Sequence, residues 1–308
     1  MKTLKIILLS TLFLAGCKKD TEVCQPKTNT TIRFNLMDVA DNDVFTPLVD
    51  HVELFIYDLN GRQISRSTVS KSELNLFAGK RLKLNPGTYT VVAWANTTPE
   101  RSSLVTDDAK SYLDRTNNYL LNAMAVGGVV ENGDPLYYAP KPNNIQLRFT
   151  VPAEGGVEVL AEMRHAHVKL EITVEGYDNV IYGVSDMLKM EVTDLTSRYG
   201  FGMEPHGNKV SYVQNVPIAD TEKKVFNTMF NIPIFDKNTD TDVRISNSKG
   251  NLIVPAISLK ELLGDKINIE KLWHLPIRII FTEENGLIKV TVKVDLPEWN
   301  EEIVQPNV

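Results

Sequence analysis

Val168-Lys169-Leu170-Glu171-Ile172-Thr173-Val174 alternates apolar and polar side chains without a break. A period of two belongs to a strand with one face in a core and one in water, and a helix cannot satisfy it. The rhythm recurs along the chain. Ile32, Phe34 and Leu36 alternate with Arg33 and Asn35, and Val52, Leu54 and Ile56 repeat the pattern. So do Ile145, Leu147 and Phe149, and the run Leu188-Lys189-Met190-Glu191-Val192. Turn chemistry separates these runs. Leu59-Asn60-Gly61-Arg62 carries the Asn-Gly pair of a type I′ hairpin turn, since both residues tolerate positive φ. Asn85-Pro86-Gly87 joins Leu82-Lys83-Leu84 to a strand over Tyr89–Ala95, and Glu284-Asn285-Gly286 divides Ile277–Thr282 from Leu287–Val294. Leu113–Leu121 is ambiguous between strand and helix, and Leu259–Leu263 is the clearest short helix. No βαβ alternation occurs, so the chain is predicted to be all-β, built of antiparallel sandwiches. Pro152-Ala153-Glu154-Gly155-Gly156 breaks the chain near its midpoint. The expected domains are 30–160 and 161–308, with one strand near the boundary able to join either side.

The first residues have another purpose. Lys2 and Lys5 precede an apolar run from Ile6 to Leu14, then the small residues Ala15 and Gly16. This is a secretory signal, too short to remain as a spanning helix. Leu14-Ala15-Gly16-Cys17 resembles the bacterial lipobox, whose cysteine receives diacylglycerol and becomes the new N-terminus. The alternative is an ordinary signal peptide with a chance cysteine. On the lipobox reading, residues 1–16 are a cleaved lipoprotein signal peptide and 17–29 a lipidated tether. Lys18, Lys19, Asp20 and Glu22 resemble the signal that exports Bacteroidetes lipoproteins to the cell exterior, or form a plain solvated linker. The predicted location is the outer membrane, lipid-anchored and exposed at the cell surface. Cys24 reads as a bystander in the linker, and two cysteines make no disulfide framework.

About 290 residues remain after the signal, enough for two full cores. A net charge of −6 leaves no basic excess to neutralise phosphates, which excludes nucleic acid as a partner. No second apolar run approaches twenty residues, so the acyl group on Cys17 is the predicted membrane attachment.

Two stretches together point to a family. They are Val52-Glu53-Leu54-Phe55-Ile56-Tyr57-Asp58-Leu59-Asn60-Gly61-Arg62 and Leu84-Asn85-Pro86-Gly87-Thr88-Tyr89-Thr90-Val91-Val92-Ala93-Trp94-Ala95-Asn96. With Arg164-His165-Ala166-His167-Val168-Lys169-Leu170-Glu171-Ile172 and the lipobox, they resemble in order the fimbrial anchor lipoproteins of Bacteroidales, the FimB-type family of type V pili. The resemblance implies two tandem transthyretin-like β-sandwich domains and a role at the foot of a pilus. It also implies partners that are fimbrial subunits, joined by strand addition. An open sandwich exposes a groove and unpaired backbone, and an incoming strand satisfies both. The loops near Arg62, Arg66 and Arg101 are candidate processing sites of the kind that release a first strand in shaft subunits, though an anchor has reason to keep that strand. The terminal run Trp299–Val308 is mostly polar and contains Pro306, so it is a poor donor strand. Its removal from Glu301 onward is expected to leave assembly largely intact.

No polar constellation supports catalysis, and the chain is read as a non-enzyme without cofactor. His165 and His167 share one face of a strand and form a possible metal pair, with a structural role as the alternative. Gly127-Gly128 and Glu131-Asn132-Gly133-Asp134 lack the lysine–serine end of a phosphate loop. Glu283 and Glu284 point to opposite faces. Asp236, Asp240 and Asp242 could bind calcium weakly. Trp94 reads as core, while an exposed Trp273 or Trp299 could stack on sugar. That last possibility gives the alternative function, a surface lipoprotein that binds glycans for an outer-membrane uptake system.

Overall fold

The computed structural model describes residues 28–38, 42–104, 119–123, 127–139, 147–177, 187–200, 203, 205–235, 239–264, 273–295 and 302–304. The signal segment, Cys17, Cys24, Asp236 and Trp299 lie outside them.

The N-terminal half forms two sheets. Val157–Glu162 (β11), Thr30–Asn35 (β1) and Gly79–Leu82 (β4) lie side by side in that order. Arg164–His165 (β12), Tyr137–Ala139 (β9), Gly87–Ala95 (β5), His51–Asp58 (β2) and Gln63–Ser70 (β3) form the second sheet in that order, and Leu147–Val151 (β10) also pairs with β5. Ile32, Phe34, Val159 and Ala161 of the first sheet pack on Val52, Leu54, Ile56, Val91 and Ala93 of the second. The other face of the second sheet is buried too. Phe55, Tyr57, Val92 and Trp94 meet Tyr138, Ala166 and Tyr199 there. Burial on both faces is why Val91–Ala95 reads as a continuous apolar run instead of an alternating one.

The C-terminal half repeats the plan. Phe226–Pro233 (β16), His167–Glu175 (β13), His274–Glu284 (β19), Leu287–Val294 (β20) and Glu302–Val304 (β21) make one sheet. Ile257–Ser258 (β18), Asp242–Asn247 (β17), Met187–Gly200 (β14), Pro205–Pro217 (β15) and Val129–Val130 (β8) make the other. Leu170, Ile172, Ile277 and Ile279 pack on Leu188, Met190, Val192 and Ile245 between them. The hairpin β14–β15 outgrows this core. Its far end, Arg198–Gly200, pairs with Tyr119–Ala123 (β7), which pairs in turn with Ser102–Leu104 (β6). Segments from the N-terminal half thus complete the last sheet. The chain changes sheets at Ala166, which donates to Leu136 O at 2.9 Å and accepts from Ile234 N at 3.0 Å.

Most pairings are antiparallel, as the turn pattern predicts. The departures are instructive. β1 runs parallel to β11, β13 to β19 and β15 to β8, and β1, β13 and β15 are each also flanked by an antiparallel neighbour. A parallel partner usually arrives through a crossover helix. Here the crossover is the rest of the sandwich, so no βαβ signature marks it. Among the described residues three short helices complete the fold: Phe45–Leu48 (α1), Lys71–Phe77 (α2) and Leu259–Leu263 (α3). Ser70 and Glu73 close a capping box at the start of α2, and Ala78 ends it at φ 51°. None of the described helices is long and apolar enough to cross a membrane.

Candidate functional site

In a chain without a catalytic motif the mechanical elements are the candidates, and the first strand is foremost. β1 stands at the start of the described residues and lies between two partners. It pairs with β11 over six residues and with β4 over four. Ile32, Phe34 and Leu36 bury one face completely. Asn29, immediately before β1, locks the start of the strand. Its Nδ2 donates to Leu84 O at 2.7 Å, and its Oδ1 accepts from Leu84 N at 2.9 Å. Its backbone donates to Leu82 O at 3.0 Å and accepts from Val157 N at 2.9 Å. A pull on the tether along the strand therefore loads bonds on both sides together, because ladder bonds run across the strand axis. Sequence reasoning left Asn29 in the linker. An amide just before an alternating run was the available signal.

Gly79 is what lets β4 come so close. A Cβ built there would stand 1.9 Å from Ile32 O. Gly79→Ala must push β4 and β1 apart, at about 1–3 kcal/mol for an overpacked contact. The expected result is faster amide exchange across β1, while β13 keeps its protection. Unchanged exchange in β1 would show that the contact yields without cost.

The Asn that closes the Pro-Gly…Trp motif has a structural task. Asn96 adopts φ 61° and is buried. Its Oδ1 accepts from Asp50 N at 2.8 Å, and its Nδ2 donates to Leu48 O at 2.8 Å and Pro135 O at 3.2 Å. One side chain thus ties two segments, 48–50 and Pro135, to the end of β5. Asparagine tolerates the left-handed region better than alanine, and removing the amide orphans three backbone groups. Asn96→Ala is expected to lose about 2–4 kcal/mol in urea unfolding. A loss within about 0.5 kcal/mol, the usual surface effect, would contradict this role.

His165 and His167 meet at the handover between the halves. Their rings are 5.5 Å apart, and Tyr137 lies 4.9 Å from His165 and 5.3 Å from His167. Trp273 stacks on His165 at 5.7 Å. His167 shares a hydrogen bond of 2.8 Å between Nδ1 and Leu136 O. Burial pushes the His165 imidazolium down to a pKa of about 3, with the neighbouring His167 adding to the effect. Burial likewise brings His167 to about 4, against the opposing bond to Leu136. Both rings are neutral at pH 7. Among the described residues no three His, Cys, Asp or Glu side chains stand close enough to hold a metal.

The other sequence candidates fall into structural places. Glu131-Asn132-Gly133 covers the outer edge of β16: Asn132 accepts from Asn231 N at 2.7 Å, and Gly133 N donates to Asn231 O at 3.1 Å. Asp134 holds the Thr98 turn through Thr98 N at 2.8 Å. Gly128 sits in an open turn at φ 84°. Asp242 faces Arg244 at 3.5 Å, and Glu283 and Glu284 are exposed at the end of β19. Arg62 lies in the β2–β3 turn beside Asp58, and Arg66 is held in mid-strand over the Phe55 ring at 5.1 Å. Arg101 lies in the turn closed by Thr98 O. Trp94 is fully buried against Tyr138 at 5.5 Å, the core role expected of it. Trp273 is 41% exposed.

A sequence model of the fimbrillin-A associated anchor proteins Mfa1 and Mfa2 matches residues 20–305. No curated protein sequence matches the chain. Among solved structures, the fimbrial anchor protein Mfa2 from Porphyromonas gingivalis is similar at 14% identity, with 90% of this chain and 100% of that one covered and a TM-score of 0.66. A candidate adhesin from Bacteroides ovatus matches at 14% identity, 90% and 96% coverage and a TM-score of 0.68. A candidate polysaccharide-binding protein from Bacteroides thetaiotaomicron matches at 14% identity, 92% and 100% coverage and a TM-score of 0.65. At these identities the likeness shows a shared fold.

Proposed function

Because the chain belongs to the family of fimbrillin-A associated anchor proteins Mfa1 and Mfa2, we propose that it moors a surface pilus to the outer membrane. Acyl chains on Cys17 hold the lower end, and fimbrial subunits attach to the body by strand addition. The supporting observation is the position of β1. The segment that would carry the lipid runs into a strand buried on one face, paired on both sides and locked by Asn29. An anchor needs that load path, since its first strand has to stay in place while the polymer pulls. Among the described strands β3 pairs with β2 alone, and its other edge is the one we assign to a neighbouring strand. The reading includes two sandwich domains, 30–160 and 161–308, and the change of sheets at Ala166 supports a division close to that boundary.

Nothing in this role calls for catalysis, and the family is a fimbrial one. Among the described residues the glycan-binding alternative rests on Trp273, since Trp94 is buried and Trp299 lies outside them. A single exposed ring packed on His165 is a narrow platform. Extraction from outer membranes with mild detergent tests the two readings. Co-purification with a high-mass fimbrial polymer is expected. Recovery free of polymer, with retention on a polysaccharide panel, would favour glycan capture.

A further inference from the structure

The outer face of the β11-β1-β4 sheet and the adjoining end of α2 carry apolar side chains that no described residue covers. Leu76 is 74% exposed and Phe77 39% exposed at the end of α2, and Leu160 is 48% exposed on β11. Arg33 pairs with Gly79 on one side and with Leu160 on the other, and α2 ends two residues before Gly79, with its last residue Phe77 under the Arg81 side chain of β4. Cations surround them. Arg81 lies over the Phe77 ring at 4.4 Å, and Lys83 is exposed one residue past β4. Neither has an ion-pair partner among the described residues. The acids nearby are mostly engaged: Glu158 with Arg33 at 2.7 Å, Glu73 with Lys80 at 2.5 Å and Asp50 with Lys71 at 3.5 Å. Glu162 is the acid left exposed on this face.

We propose that this face rests on an anionic lipid surface, with Leu76 and Phe77 inserted at the headgroup boundary and Arg81 and Lys83 on lipid phosphates. Two observations select a membrane as the occupant. The first is connectivity. The central strand of this sheet is the one the tether enters, and residues 17–29 can span at most about 45 Å when fully extended. This step rests on the lipid-anchor reading. The second is charge. The chain carries −6 overall and is repelled by an anionic surface, so close approach favours a face where apolar and free cationic side chains coincide. Long basic side chains beside inserted apolar ones keep their charge among the phosphates while their stems cover the apolar surface.

The test uses the chain from residue 17 onward with Cys17→Ser, so that no acyl chain contributes, and flotation with lipid vesicles. Stronger flotation is expected with vesicles containing phosphatidylglycerol than with phosphatidylcholine alone. Leu76→Glu with Phe77→Ser is expected to lower partition roughly tenfold. Arg81→Glu with Lys83→Glu should erase the preference for phosphatidylglycerol, and Leu287→Glu, exposed on the far β19–β20 hairpin, should change nothing. No flotation of the parent chain, or equal flotation of the Leu76/Phe77 variant, overturns the proposal. So does a solution dimer that Leu76→Glu dissolves, which would assign the face to a second copy. The acylation state of Cys17 is read separately by mass, so failure of the tether and failure of this face are distinguishable.

Discussion

Cells carrying Cys17→Ala are expected to shed their fimbriae into the medium, with cell-bound polymer falling at least tenfold and total polymer unchanged. Each buried CH₂ of an acyl chain contributes about 0.8 kcal/mol to membrane attachment, and one chain alone holds only marginally. On the proposed anchoring, two or three chains on Cys17 would supply stable mooring, and removal of their attachment point would leave at most a weak surface contact. A signal segment exchanged for one with an ordinary cleavage site keeps export intact in the variant. Quantifying fimbrial protein in the cell pellet and the medium reads the outcome. Fibres that stay with the cells would remove Cys17 from the mooring.

Acid is expected to destabilise the fold through the junction between its halves. An exposed imidazole protonates near pH 6.5. His165 and His167 resist until about pH 3 and about pH 4. Between those values the unfolded chain binds more protons than the folded one, so stability is full above about pH 6.5 and falls as the pH drops toward 4. Two rings held neutral amount to several kcal/mol at pH 4, a large share of a typical net stability of about 5–15 kcal/mol. Carboxylates add their own acid sensitivity, so the assignment needs a comparison. His165→Phe with His167→Asn should unfold in urea with a visibly flatter dependence between pH 7 and pH 4. An identical slope in parent and variant would place the sensitivity elsewhere.

Local rules made much of the fold legible. The alternation at Val168–Val174 became β13, and the Asn285-Gly286 pair makes the β19–β20 turn at φ 55° and 76°. Asn60-Gly61 joins β2 to β3, but only Gly61 takes a positive φ, 75°, so the turn is not the expected type I′; Gly61 N donates to Asp58 O at 3.0 Å, and Asp58 Oδ1 accepts from Asn60 N and Arg62 N at 2.9 Å each. Trp94 declared itself as core through its apolar neighbours. What escaped was set by distance along the chain. The parallel pairing of β1 with β11 joins residues more than a hundred positions apart, and no local pattern encodes it. The same holds for β7 and β8, which leave the first half to extend the β14–β15 hairpin. Ser70-Lys71-Ser72-Glu73 did carry a readable capping-box signal for α2. Asn29 and Asn96 act through hydrogen bonds to segments 39 or more residues away, so their types alone could not reveal their partners.

The mooring is tested most directly by mass analysis of the N-terminal peptide from fimbrial polymer isolated out of outer membranes. The peptide is predicted to begin at Cys17, to carry the mass of its acyl chains and to travel with the polymer. An N-terminus at any other residue, or an unacylated Cys17 in the polymer fraction, would contradict the lipid anchor on which the function depends.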